Sequence, residues 1–138
     1  MASAARLHPL HINEITGTIV NSAMKVHSFL GPGLLESAYQ ACLAHELGNR
    51  GIEVAMQVPL PVVYEGRKLE VGYRVDLLVA HRVVVEIKSV EAIHSIHEAQ
   101  LLSYMRLSGI KVGLLLNFNV LHLRDGIKRM VDGQDWQK

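Results

Sequence analysis

The segment that most restricts the fold is Val83-Val84-Val85-Glu86-Ile87-Lys88, a strand-forming run that is apolar until a carboxylate and an ammonium interrupt it. A half-exposed hairpin keeps one face polar, so a run apolar on both faces is better explained as a central strand covered by helices. Strand side chains repeat every two residues, which puts Glu86 and Lys88 on one face and Ile87 on the other. Two ionic groups therefore stand where a buried sheet prefers apolar ones.

The rest of the chain predicts the covering layers. Ile15, Ile19, Ala23, Val26 and Leu30 recur at helical spacing over 13–30, with Asn13 as the expected cap and Gly31-Pro32-Gly33 as the break. A second helix is expected over 34–49, packing through Leu35, Ala38 and Cys42 and ending at Asn49-Arg50-Gly51. Residues 52–63 become β-rich, with Pro59 and Pro61 marking an edge or break. Glu65-Gly66 is the expected hairpin turn, and 69–79 is expected to pair with 83–87. Ser95-Ile96-His97-Glu98 has capping-box spacing before a helix that stops at Gly109, and 111–117 reads as a buried strand parallel to an earlier one. Residues 127–131 add a last short strand. The sum is one α/β domain over 13–131 with a mixed central sheet, preceded by a flexible leader at 1–12. The tail at 132–138 is mobile unless Trp136 anchors it.

Composition bounds the partners. The 138 residues are 49% apolar, enough for a single core, and 14 Lys plus Arg against 13 Asp plus Glu give a formal charge of +1. No global basic field results, although Arg67, Lys68, Arg74, Lys88, Arg106, Lys111, Lys128 and Arg129 can still form a local one. No apolar stretch reaches the roughly 20 residues of a membrane helix, so no membrane partner is expected. The amino terminus lacks the apolar segment of a secretory signal, and the expected location is the cytoplasm. The lone Cys42 has no internal disulfide partner and reads as a buried thiol.

Whether Asp76 joins Glu86 and Lys88 depends on the loop Ala80-His81-Arg82. With a three-residue loop, Val79 opposes Val83 and Asp76 opposes Glu86, their Cβ atoms roughly 5 Å apart. With two residues, Asp76 moves to the other face unless a bulge restores it. The aligned register is favoured, although the loop has no glycine. Two close carboxylates repel when both are ionised, whereas a hard divalent cation favours their charged forms, which makes Mg²⁺ a sensible ligand. Lys88 could then hold or polarise the attacking water. The alternative is a buried carboxylate paired with Lys88 as an ionic anchor.

Gly33-Leu34-Leu35-Glu36-Ser37-Ala38-Tyr39 resembles the signature of the GxxExxY proteins, a small group within the PD-(D/E)xK nuclease-like superfamily. Asp76 with Glu86-Ile87-Lys88 resembles the superfamily's metal-binding and catalytic core. The resemblance covers about 13–131, including Gln100, Tyr104 and Leu116-Asn117-Phe118-Asn119. It implies a restriction-endonuclease-like αβββαβ core with an additional N-terminal helix. In that core Glu36 completes or tunes a metal site built from Asp76, Glu86 and the Ile87 carbonyl. Lys88 stands beside the metal, and Gln100 and Tyr104 position substrate from the crossover helix. Val75 replaces the proline of the superfamily name, a position that shapes backbone and carries no ligand. The implied activity is hydrolysis of nucleic-acid phosphodiesters, DNA before RNA, with Mg²⁺ or its substitute Mn²⁺.

Several further residues are candidates for substrate contact. Tyr39, three residues after Glu36, can face the same space, and Arg67, Lys68 and Arg74 can meet phosphate, although a charged hairpin is commonly a solvated edge. His97 can contact substrate beside Gln100, or ligate a transition metal with His94. His81 reads as a turn residue and Phe118 as core. A single-site nuclease needs a second copy to cut both strands of a duplex, so a homodimer is compatible with the reading. The rival functions are a catalytically inactive nucleic-acid-binding or regulatory protein and a protein-interaction scaffold.

Overall fold

The computed structural model describes residues 10–137. Helix α1 (Ile12–Leu30) buries the stripe Ile12, Ile15, Ile19, Ala23 and Val26. Its cap is His11 and not the expected Asn13: His11 Nδ1 accepts the Asn13 backbone N–H at 3.1 Å, and Glu14 accepts the N–H of His11 at 3.3 Å. The Asn13 side chain instead takes a hydrogen bond from Arg129 at 3.0 Å. The first nine residues of the expected leader lie outside the described residues.

Helix α2 (Glu36–Asn49) starts two residues later than its apolar pattern suggests. Leu34 lies in a bend and Leu35 is extended, because the Tyr39 hydroxyl accepts the Leu34 N–H at 3.1 Å and donates to the Gly31 carbonyl at 2.6 Å. The buried stripe is Tyr39, Leu43 and Leu47, one sector round from the expected Leu35, Ala38 and Cys42. Leu35 is exposed and so is the Cys42 thiol, which corrects its reading as buried.

The main sheet has strand order β1-β4-β5-β6-β7, formed by β1 (Val54–Pro59), β4 (Arg74–Val79), β5 (Val83–Lys88), β6 (Val112–Asn117) and β7 (Ile127–Val131). Only β5 and β6 run parallel, joined across the sheet by helix α3 (Ser95–Ser108). As its composition demands, β5 is central, and β6 beside it is buried along its whole length. One face of the sheet packs on α1 and α2 through Leu77, Val85, Ile87, Leu114 and Leu116. The other packs on α3, where Val84 and Leu115 meet Leu101, Tyr104 and Met105. At Gly113 of β6 an added Cβ would lie 2.6 Å from Met105 Sδ, so the missing side chain lets α3 approach the sheet directly above β6.

Two sequence expectations shift. The predicted strand over 69–79 is interrupted: β3 (Arg67–Leu69) pairs with β2 (Val62–Tyr64) in a separate two-stranded sheet, and Gly72, at φ +88°, turns the chain before β4 begins. The Glu65-Gly66 turn stands as expected, with both residues at positive φ. The capping box of α3 sits one residue earlier than Ser95–Glu98, with His94 as cap and its N–H donated to His97 Nδ1 at 3.0 Å. Trp136 is anchored by packing on the core and by the Arg129 guanidinium 4.6 Å from its ring. In sequence, α2-β1-β4-β5-α3-β6 forms an αβββαβ core. Helix α1, the β2–β3 hairpin and β7 are additions to it.

Candidate functional site

The site begins with a turn. Val79 pairs with Val83, so the loop has three residues and the aligned register holds. In place of glycine, Ala80 and His81 themselves adopt φ of +53° and +56°. The Arg82 N–H closes the turn on the Val79 carbonyl at 3.0 Å, and the Glu53 carbonyl leading into β1 holds the Ala80 N–H at 2.7 Å. After three backbone pairs, at Leu77 and Val85, the β4–β5 ladder ends.

Beyond that point the two acidic side chains take over the hydrogen bonding. Asp76 Oδ2 accepts the Ile87 N–H at 2.8 Å, and Glu86 Oε1 accepts the Asp76 N–H at 3.2 Å. Each carboxylate is thus locked by a backbone N–H of the adjacent strand, Glu86 by that of Asp76 and Asp76 by that of Ile87. Glu86 is only 4% exposed. Burial, and then the neighbouring Asp76 charge, push its carboxyl up to about 8.

Lys88, one strand repeat further on, donates to Gln100 Oε1 at 3.1 Å, and Gln100 Nε2 donates to the Tyr104 hydroxyl at 3.2 Å. Among the described residues no carboxylate lies within ion-pair distance of Lys88, although its charge opposes the upward push on the Glu86 carboxyl. Burial, followed by the Glu86 charge, raises the Tyr104 phenol above its ordinary value, and it stays protonated at neutral pH. Beside Lys88 a cleft of about 560 Å³ opens between α3 and Tyr73.

Glu36, at the exposed start of α2, accepts the Ser89 N–H at 3.2 Å, and Ser89 Oγ donates to the Leu34 carbonyl at 2.7 Å. This ties α2 to the end of β5 and brings Glu36 to the rim of the site. The following loop is held by buried Asn117, whose amide bonds the N–H and carbonyl of Val90 at 3.1 and 3.0 Å.

Two residues escaped the sequence reading. Gln57 of β1 donates to Asp76 Oδ1 at 3.3 Å and to Gln40 Oε1 at 2.6 Å, so the amide fixes the second oxygen of Asp76 and links it to α2. Gln40, four residues after Glu36, could have been found by helical spacing. Gln57 adopts φ +52°, which nothing in its residue type announces.

Other candidates are not gathered here. Tyr39 has no exposed surface: its ring stacks on Phe118 at 4.4 Å and its hydroxyl is committed to the α1–α2 connection, so it shapes the site from below and does not meet substrate. Arg67 and Lys68 are exposed on the hairpin, and Arg74 is exposed at the first position of β4. His97 lines the cleft, with one ring nitrogen spent on the helix cap. Of the wider basic set, Arg106 pairs with Asp132 and Lys128 with Glu98.

Among the described residues no group of three or more His, Cys, Asp or Glu side chains is arranged to hold a metal. The pair Asp76–Glu86 nevertheless fits a hard cation in its donor chemistry. It offers two carboxylates of which one is buried against the other, and Mg²⁺ needs only one or two carboxylates because it retains several waters. The Ile87 N–H points toward β4, and the carbonyl of the same residue issues from that strand edge.

Fold and site together define a restriction-endonuclease-like α/β core, a mixed sheet between helices with paired carboxylates and a lysine on its central strands. The family model described as the PD-(D/E)XK nuclease superfamily matches residues 13–130, and the chain belongs to that superfamily. No curated protein and no solved structure matches it significantly. Among the described residues no helix is long and apolar enough to cross a membrane.

Proposed function

We propose that this chain is a metal-dependent phosphodiesterase that cleaves nucleic acid, DNA before RNA, and that it belongs to the GxxExxY group of its superfamily through Gly33, Glu36 and Tyr39. The observation that carries the reading is the locked Asp76–Glu86 pair with an unpaired Lys88 beside it, opening on a cleft. Asp76, Glu86 and the Ile87 carbonyl would hold Mg²⁺ or Mn²⁺, with Glu36 completing or tuning the site from the start of α2. When bound, the cation makes water a better nucleophile and stabilises charge on the scissile phosphate.

The chain's own residues do the rest. Burial and the neighbouring Asp76 charge hold the Glu86 carboxyl up at about 8, and a bound cation would favour its charged form. Gln57 and the Ile87 N–H keep the Asp76 carboxylate in one orientation. Gln100 Oε1 accepts a hydrogen bond from one N–H of the Lys88 ammonium, which leaves its other donors to hold the attacking water and a phosphate oxygen in line. Tyr104, kept protonated, fixes the Gln100 amide. The functional unit is the domain over 13–131, working in the cytoplasm, and two copies of this single site are needed to cut both strands of a duplex.

The test is cleavage of labelled single-stranded DNA, duplex DNA, branched DNA and RNA by wild type and Glu86→Ala with Mg²⁺ or Mn²⁺. Product from wild type alone, with the variant shown to be folded, supports the reading. No product across metals and substrates, with nucleic acid still bound, replaces it with the inactive binding protein.

A further inference from the structure

The cleft beside Lys88 has the chemistry of a pocket for one unpaired nucleotide. Tyr73, 47% exposed, lines it, with its ring 5.9 Å from the Tyr104 ring and inclined to it by 50°. Ile96, 70% exposed, offers a second apolar surface, while Gln100 and His97 offer hydrogen-bonding groups and Lys88 the cationic end. A flat apolar face, polar edges and one cation complement one base and one phosphate. A volume of about 560 Å³ is ample for them.

A duplex presents different chemistry. Its base faces are hidden in the stack, and it is held chiefly through many phosphates, each needing a cation. The cleft lining supplies one lysine; of the remaining cations, Arg106 and Lys128 are paired with acids, Arg129 is engaged by Asn13 and Trp136, and the exposed Arg67, Lys68 and Arg74 lie on the hairpin and at the start of β4, outside that lining. The β2–β3 hairpin precedes Tyr73 in the chain, and on it exposed Tyr64 pairs across the strands with Arg67.

We propose that the substrate is single-stranded nucleic acid, drawn in so that one unpaired base packs on Tyr73 and its phosphate reaches Lys88. This rests on the phosphodiesterase reading of the Asp76–Glu86 pair for its consequence, but the binding mode is tested without catalysis. Fluorescence anisotropy of the full chain in EDTA would compare a short labelled DNA strand, the same sequence as a blunt duplex, and the strand with abasic sites throughout. The single strand should bind about tenfold or more tightly than either competitor. Tyr73→Ala should lose roughly 5- to 100-fold of single-strand affinity, the range of one base–aromatic stack, while Tyr73→Phe retains it.

Equal or tighter duplex binding overturns the proposal, as does an abasic strand bound as well as the intact one, a comparison that needs no variant. A folded Tyr73→Ala protein with unchanged affinity overturns it too. Single-strand preference that depends on Tyr73, without cleavage under Mg²⁺ or Mn²⁺, upholds the proposal and removes the hydrolytic reading. Cleavage of duplex with no strand preference does the reverse.

Discussion

The two ends of the β4–β5 pair are built on opposite principles. Near the turn, Val79, Val83, Leu77 and Val85 form a backbone ladder packed in apolar core, and its energy is that of burial and ordinary strand pairing. At the far end, the ladder is replaced by carboxylates bonded to the opposing backbone, and Glu86 is buried at the cost of its charge. The first end fixes the register, and the register alone decides that Asp76 meets Glu86. Stability is concentrated where there is no chemistry, and the unfavourable electrostatics are confined to the end where a cation would relieve them.

The comparison breaks most sharply at Lys88. Lys88→Ala should lower turnover at least about 100-fold, in the range of a positioned proton-transfer or electrostatic group, while the thermal midpoint stays close to that of wild type. Comparable turnover by the two proteins would remove Lys88 from the mechanism.

Next in size is a pH effect confined to the acidic end. Glu86 has a folded pKa of about 8 against an ordinary value of 4.5, so between these values the metal-free folded state holds a proton that the unfolded state has lost. Its contribution is fully present below about pH 4.5 and is lost as pH rises through 8. Denaturant titrations in EDTA should therefore show stability declining across that window, and Glu86→Gln should flatten the decline. A variant with the same slope as wild type would place the titration elsewhere.

Tyr39→Phe tests the support beneath Glu36. It strips the Leu34 N–H and the Gly31 carbonyl of their shared partner and should cost about 1–2 kcal/mol in chemical unfolding. The smallest effect lies at the turn. His81→Gly relieves a left-handed residue at φ +56° and loses only the exposed pair with Glu53, so stability should rise by up to about 1 kcal/mol with activity unaltered.

Much of this was legible because β5 admits one environment. Its two apolar faces demanded a central strand, and the period of two then placed Glu86 with Lys88. The three-residue loop was the favoured alternative despite its lack of glycine, and in the structure Ala80 and His81 accept the left-handed conformation. What the sequence hid was decided by tertiary contacts. Leu35, Ala38 and Cys42 have as good a helical spacing as Tyr39, Leu43 and Leu47, and only docking on Phe118 selects the second stripe. The strand expected over 69–79 read as continuous because nothing local distinguishes a hairpin insertion from a long strand with one glycine. Gln57 was invisible for a related reason: its grip on Asp76 comes from strand register and a left-handed φ, neither of which a glutamine signals.

The central claim is that Asp76 and Glu86 form a cation site, and calorimetric titration of the full, metal-free chain with Mn²⁺ at pH 6 and pH 8.5 tests it most directly. The account predicts binding that strengthens with pH, releases protons at the lower pH as Glu86 ionises, and is lost in Asp76→Asn. Binding that ignores pH and survives Asp76→Asn, or no binding at either pH, would contradict it.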